Sequence, residues 1–218
     1  MTVSTARGPA CGHPPTGAID HTLRAERADQ YAARHDGFAF FLSVTQDQAF
    51  CDAHILSFRP LPGDLAQASA TPAFSWISPD LCNDGHDAPC VTGARGGLAQ
   101  ADAFLSQWVP KIMAAPAYRD NGLIVITFDE GNGSAACCGE ISGFTSAHPN
   151  VLEPGKNGPG GGRIGAVLLS PLIRPGTVST VDYDHYSLLR TIEDIFGLPH
   201  LGDAAMPQVR AFGPDVFG

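Results

Sequence analysis

Asp129 and Glu130 stand side by side where the apolar, β-branched run LIVITF ends, in the stretch LIVITFDEGNGSAACCGE (Leu123 to Glu140). Two ionised carboxylates this close repel each other, and partial burial adds a desolvation cost. A divalent cation relieves both and favours oxygen ligands of this kind, so the pair reads as one side of a metal site. Gly131 and Gly133 follow, and glycine lets backbone approach a ligand closely. The plainer alternative is that one carboxylate caps the next element while the other faces water.

A second group lies in PDLCNDGHDAPC, Pro79 to Cys90, where Asn83, Asp84, His86 and Asp87 sit between two cysteines. A Cys82–Cys90 bridge would stiffen that loop and hold His86 in a fixed direction. His86 then reads as a donor to a phosphate oxygen or as a general acid, because imidazole delivers a proton near neutral pH. The competing reading is an Asx-rich turn with an exposed histidine. His35 follows Arg34 just before an apolar run, where basic residues at a helix C-terminus are also favoured by the dipole. His185 opens the last helix, and its plainer role is to satisfy a local carbonyl.

The elements that must position these residues alternate. Ile19 to Arg34 reads as a helix with Asp20 at its N-cap, after a looped stretch over residues 1–19. Phe38 to Val44 (FAFFLSV) and Ala73 to Ser78 (AFSWIS) read as short buried strands. Leu98 to Pro116 is a helix with Leu98, Ala101, Leu105, Trp108 and Ile112 on one stripe and a kink near Pro110. Leu123 to Phe128 and Ile164 to Pro171 are strands. The last helix, YSLLRTIEDIFG, carries Leu188, Leu189, Ile192, Ile195 and Phe196 on one face, with Asp184 to cap it, Gly197 to end it and Pro199 beyond. Apolar strand runs alternating with helices predict an α/β fold with a largely parallel sheet covered on both faces. The glycines of GPGGGRIGAVLLSP precede a strand, whereas phosphate-binding glycine loops follow one and open a helix, so this segment is a loop entering the core.

Composition narrows the function classes. The chain has 218 residues, 44% hydrophobic and 16% charged, enough apolar surface for a core and read here as a single domain over 1–218. Its net charge of −9 lacks the basic stripe that nucleic acids require. No apolar run approaches the roughly 18 residues of a membrane span, and no lipid-surface helix stands out, which favours soluble substrates. Six cysteines point to an oxidising compartment, although MTVSTARGPACGHPPTG has no apolar leader. Cys137 and Cys138 lack a zinc spacing and read as disulfide partners; a bridge between neighbours is sterically poor, so each pairs elsewhere or one stays free, and Cys11 and Cys51 are the other candidates for pairing.

The blocks WISPDLCNDGHDAPC, LIVITFDEG, GGGRIGAVLLSPLIRPGTVST and YDHYSLLRTIEDIFGLPHLGDA resemble the bacterial phosphoesterase family. That family holds phospholipase C-type enzymes and acid phosphatases and belongs to the alkaline phosphatase superfamily; the resemblance runs from about Cys11 to Gly218. It implies a three-layer α/β/α sandwich hydrolysing small-molecule or lipid phosphate esters through a hydroxyl nucleophile and a divalent metal of unassigned identity. Carried onto this chain, it makes Asp129 and Glu130 metal ligands, His86 the histidine that contacts the phosphoryl oxygens or protonates the leaving group, His35 a second active-site histidine, and His185 a further site histidine. It also implies a secreted or periplasmic parent.

The departure from the pattern is at the start. Family members carry a Glu-Asn metal-ligand pair and a Ser or Thr nucleophile in a segment that would precede CGHPPTG. Thr2, Ser4 and Thr5 lie in a short tail without the expected setting, and none is assigned as nucleophile. An N-terminally truncated phosphoesterase is therefore expected, and the competing expectation is a catalytically incomplete fragment that at most binds metal or phosphate weakly.

Overall fold

A computed structural model of the chain describes residues 2–4 (as backbone), 10–131 and 162–218. They gather into two compact units, Met1–Asp120 and Asn121–Gly218.

The first unit is built on a three-stranded parallel sheet, order β2-β1-β3, from β1 (Thr2–Ser4), β2 (Ile55–Ser57) and β3 (Trp76–Ser78). The register pairs Val3 with Leu56 on one side and with Ile77 on the other. The helices are α1 (Leu42–Thr45), α2 (Gln48–His54), α3 (Leu61–Asp64), α4 (Gly97–Ala114) and α5 (Pro116–Asn121). Cys11, Ala39, Cys51 and Ile55 form a buried cluster with Phe38 and Val44 against it. A Cys11–Cys51 disulfide runs through that cluster, and Cys11 N–H donates to the Ile55 carbonyl at 2.8 Å. Along α4, Phe104 and Trp108 meet Phe58, with ring centroids 5.8 and 4.3 Å away, and the helix continues past Pro110 to Ala114.

The second unit holds β4 (Ile124–Thr127), β5 (Ala166–Leu169), α6 (His185–Phe196) and α7 (Pro214–Phe217). Helix α6 starts and stops on local chemistry. Asp184 accepts from Ser187 N–H while Ser187 Oγ bonds back to the Asp184 N–H, and Gly197 closes the helix at φ 64°. Thr191 and Glu193 are buried, whereas Ile195 and Phe196 of the apolar face are 58% and 43% exposed.

The fold is mixed α/β, and four expectations change. Residues 2–4, read as loop, form the central strand of the parallel sheet. Ile19 to Arg34 is not a helix: it holds two 3-10 turns, His21–Leu23 and Ala33–His35. Asp20 does cap, accepting from Thr22 N–H at 2.8 Å, but Thr22 Oγ1 also accepts from Ala33 N–H at 2.8 Å. Eleven helical residues would span about 16 Å, so that contact requires the chain to fold back. Phe38 to Val44 is a turn followed by α1 instead of a strand; the buried Asp36 accepts from Phe38 N–H at 3.2 Å, and Phe40 and Phe41 stay more than half exposed. Finally β4 and β5 pair antiparallel, Ile126 opposite Val167. An apolar run reports burial but not strand direction, and this pair is half solvated, with Thr127, Ala166 and Val167 exposed.

Candidate functional site

In the first unit, β3 delivers the chain into the loop that carries His86. Asp80 opens this loop as an Asx turn, its Oδ1 accepting from Cys82 N–H, Asn83 N–H and Asn83 Nδ2 at 3.2, 3.2 and 2.6 Å. The expected Cys82–Cys90 disulfide is present and closes the loop on itself. The next element begins against it: Gly97 N–H donates to the Asp87 carbonyl at 2.8 Å.

Asp84 is the centre of this unit's titratable cluster. Its Oδ1 accepts from His86 N–H at 2.8 Å, and its Oδ2 lies 3.8 Å from His35 Nδ1. The Asp84 side chain is 13% exposed and Oδ2 has no hydrogen bond. Burial pushes its carboxyl above the usual range, opposed by the His86 N–H and the His35 ring. His86 is presented outward, 85% exposed, with Nδ1 2.9 Å from Asp87 Oδ1. The Asp87 hydrogen bond and charge raise the imidazole above its ordinary value. His35 is anchored through its carbonyl, which accepts from Ser78 Oγ at 2.5 Å, and Ser78 Oγ accepts in turn from Trp76 Nε1 at 2.9 Å. The end of β3 thereby fixes the backbone of His35, and Asp84 brings His35 and His86 to one carboxylate.

The loop also borders a cavity of about 290 Å³ lined by Phe58, Asp80, Asn83, Gln100, Phe104 and Trp108 among others.

In the second unit, Asp129 and Glu130 follow β4 directly, and both are exposed. Among the described residues no hydrogen bond or ion pair engages either side-chain carboxylate. Two free, adjacent, hard oxygen donors fit a divalent cation as part of a ligand set. His185 Nε2 donates to the Asp129 carbonyl at 2.7 Å, tying the first residue of α6 to the end of β4. Gly131 was read as room for a ligand, but the chain itself uses that room: a Cβ there would lie 3.0 Å from Arg163 O and Gly162 C. Gly133, Cys137 and Cys138 lie outside the described residues, as does Thr5.

The cysteine reading is sharpened. Ligand atoms of Cys11, His13 and Cys51 lie within 4.8 Å of one another, but both sulfurs are joined in a disulfide and offer no thiolate to a metal. Asp84 is the residue whose role the sequence reading missed. Its bond to His86 N–H was legible in Asp-Gly-His, an Asx-turn signal, whereas the approach to His35 is tertiary.

The chain is similar to several known proteins. Over 174 residues the chain is 26% identical to a phosphate-repressible acid phosphatase of Penicillium chrysogenum, covering 80% of this chain and 35% of that protein. It is 30% identical over 177 residues to a phosphatidylinositol-3-phosphatase of Mycobacterium tuberculosis, covering 81% and 45%. It is 25% identical over 173 residues to phospholipase C A of Mycobacterium tuberculosis, covering 72% and 31%. The chain thus spans 31% to 45% of the length of these relatives. A model of the Phosphoesterase family matches residues 15–199, a span that contains His35, His86, Asp129, Glu130 and His185, and the chain belongs to that family.

Proposed function

We propose that this chain contributes to metal-assisted hydrolysis of phosphate esters, as part of one phosphoesterase domain of the three-layer α/β/α type. The observation that carries the reading is the convergence of His35 and His86, from separate segments, on the buried carboxylate of Asp84. A pair of imidazoles held this way suits donation to phosphoryl oxygens. His86, exposed and with its proton retained by Asp87, is the group suited to protonate a leaving alkoxide.

Asp129 and Glu130 are the residues that would hold a divalent ion, and His185 keeps the strand end that carries them in place. When bound, such an ion neutralises charge on phosphoryl oxygens and makes a hydroxyl nucleophile more acidic. The activities named for the relatives, acid phosphatase, phosphatidylinositol-3-phosphatase and phospholipase C, support a substrate class running from soluble phosphomonoesters to phospholipid headgroups. The two disulfides favour an oxidising location, secreted or periplasmic, and no helix among the described residues is long and apolar enough to cross a membrane.

The test is hydrolysis of a chromogenic phosphomonoester by this chain, with and without a chelator, alongside Asp129→Asn and His86→Gln. Turnover abolished by chelator and by Asp129→Asn supports the reading. Turnover indifferent to both refutes it. Absence of turnover together with only weak calorimetric binding of divalent ions marks the chain as a catalytically incomplete piece.

A further inference from the structure

One face of α4 is poorly explained by packing alone. Gln100, Phe104, Gln107 and Trp108 recur along it at helical spacing, so two long amides alternate with two aromatic rings. They border the cavity of about 290 Å³ together with Phe58, which directly follows β2, and with Asp80 and Asn83 in the loop after β3. Both strands run parallel to β1, so their carboxyl ends lie at one edge of the sheet. That edge is where open α/β sheets bind ligands. A helix face that serves packing alone is best apolar, and two glutamines on it supply hydrogen-bonding groups instead.

The cavity has an apolar wall and a polar one. Phe58 meets Trp108 edge to face, ring centroids 4.3 Å apart and planes at 80°, and meets Phe104 at 5.8 Å. The polar wall is a hydrogen-bonded chain. Gln100 Nε2 donates to Asn83 Oδ1 at 3.2 Å, and Asn83 Nδ2 donates to Asp80 Oδ1 at 2.6 Å. These bonds fix the direction of both amides and leave Gln100 Oε1 to accept, with a second N–H on each amide to donate. Gln107 is exposed, and its amide has no hydrogen-bond partner among the described residues.

Charge then selects the ligand. Among the described residues no Lys, Arg or His lines the cavity, and its one acidic group is Asp80. A phosphate or carboxylate would meet repulsion and no counter-charge there. A purely apolar ligand would leave the amides without partners. A ring with C–H faces for the aromatic wall and hydroxyls that both donate and accept satisfies the two walls together. The volume lies at the small end of the roughly 300–1,000 Å³ usual for ligand pockets, which suits a single ring.

We propose that this cavity is a binding site for one neutral polyhydroxylated ring, a sugar or a cyclitol, held by the amides of Asn83, Gln100 and Gln107 against Phe58, Phe104 and Trp108. The inference stands on the cavity's own chemistry and does not depend on the phosphoesterase reading.

The chain has two tryptophans, Trp76 and Trp108, and only the second lines the cavity. Proton–nitrogen NMR of the purified chain separates their indole N–H signals, assigned by the loss of one in Trp108→Phe. Titration with methyl β-glucoside and, separately, with myo-inositol should move the Trp108 signal saturably and leave that of Trp76 in place. The ring that produces the response shows whether sugar or cyclitol is taken. No response to either ring at its solubility limit overturns the proposal, as does a drift of both indoles without saturation. Saturable movement with inorganic phosphate, and with neither ring, overturns the neutral class.

Two variants at exposed positions of α4 localise the effect. Gln107→Ala should weaken binding about 5-fold, the loss of one net hydrogen bond. Ala103→Phe places a ring in the cavity and should abolish the response, with the melting temperature near that of the wild type to show that the fold persists. Wild-type affinity in Ala103→Phe overturns the placement of the site, and wild-type affinity in Gln107→Ala overturns the role of that amide.

Discussion

His185 Nε2 donates a hydrogen bond of 2.7 Å to the backbone carbonyl of Asp129, a contact between residues 56 positions apart. A carbonyl oxygen can only accept, so Nε2 is the protonated ring nitrogen. The first side chain of α6 thereby holds the residue at which β4 hands over to the carboxylate pair. An imidazole tether to backbone fixes the direction of the strand end without using either side-chain oxygen of Asp129.

The consequence is separable from catalysis. His185→Ala should cost only about 0.5–1.5 kcal/mol of stability, the net value of one hydrogen bond, and the exposure of His185 puts it at the low end. Calorimetric titration with Mn²⁺ should nevertheless weaken clearly, because the carboxylate pair loses its fixed base. Affinity equal to wild type would show that the strand end is held by other means.

His86 contributes one pH dependence in the first unit. Asp87 raises its imidazole by hydrogen bond and charge, Asp84 adds to this, and Arg34 opposes it. A raised folded value means that the contribution of the pair to stability is full in acid and is lost as pH rises through the folded value. Asp87→Asn should therefore move the His86 NMR titration midpoint to lower pH. If His86 protonates the leaving group, the basic limb of the pH–rate profile should move the same way. A midpoint unchanged in Asp87→Asn would remove Asp87 as its cause.

The opposite sign is expected at the C-terminal end. Asp215 accepts from Ser179 Oγ, and from Tyr183 OH at 2.8 Å, and these bonds hold its carboxyl below the ordinary range. Such a group adds stability above its unfolded value, about 3.9 for aspartate, and loses that contribution as pH falls through the folded value. Asp215→Asn should melt below wild type at pH near 7 and converge with it in strong acid. Parallel melting curves at every pH would mean that the ionised clasp contributes nothing.

How much of this could be read beforehand depends on where the determining interaction lies. Helix α6 was legible because Asp184, Ser187 and Gly197 define its ends within a few residues. The same locality made the Cys82–Cys90 loop and the strand into Asp129 legible. Ile19 to Arg34 misled because its cap at Asp20 is real, while the contact from Thr22 to Ala33 that breaks the helix is tertiary. Phe38 to Val44 misled because strand-like aromatics follow Asp36, a buried turn-maker whose burial the sequence does not announce. Central strand β1 is too short for a periodicity, and the direction of β5 against β4 leaves no mark on an apolar run. In the site, the residue types were visible, but Asp84 meeting His35 was not, since its distance depends on how β3 and the 3-10 turn at Ala33–His35 come together.

Gly96 offers the sharpest test of whether loop geometry controls His86. It sits at φ 70°, and a Cβ there would lie 2.0 Å from the Asp87 carbonyl oxygen and 2.9 Å from Ala88 Cα. At φ 70° and ψ −170° the backbone is open essentially to glycine alone, so Gly96→Ala costs about 1–3 kcal/mol in strain and must also push the Asp87 carbonyl away. That carbonyl accepts the Gly97 N–H, so the start of α4 separates from the loop, and the side chain beside it, Asp87, leaves Nδ1 of His86. Gly93→Ala is the matched control: it has φ 88° but nothing within 4 Å of its Cβ, so it carries the backbone strain alone. In urea denaturation Gly96→Ala should lose at least about 1 kcal/mol more than Gly93→Ala, since a bond is broken as well as a dihedral strained. The His86 titration midpoint should fall in Gly96→Ala and stay in place in Gly93→Ala. Equal losses in the two variants, with His86 unmoved in both, would mean that the loop holds His86 without the abutment of α4 against Asp87.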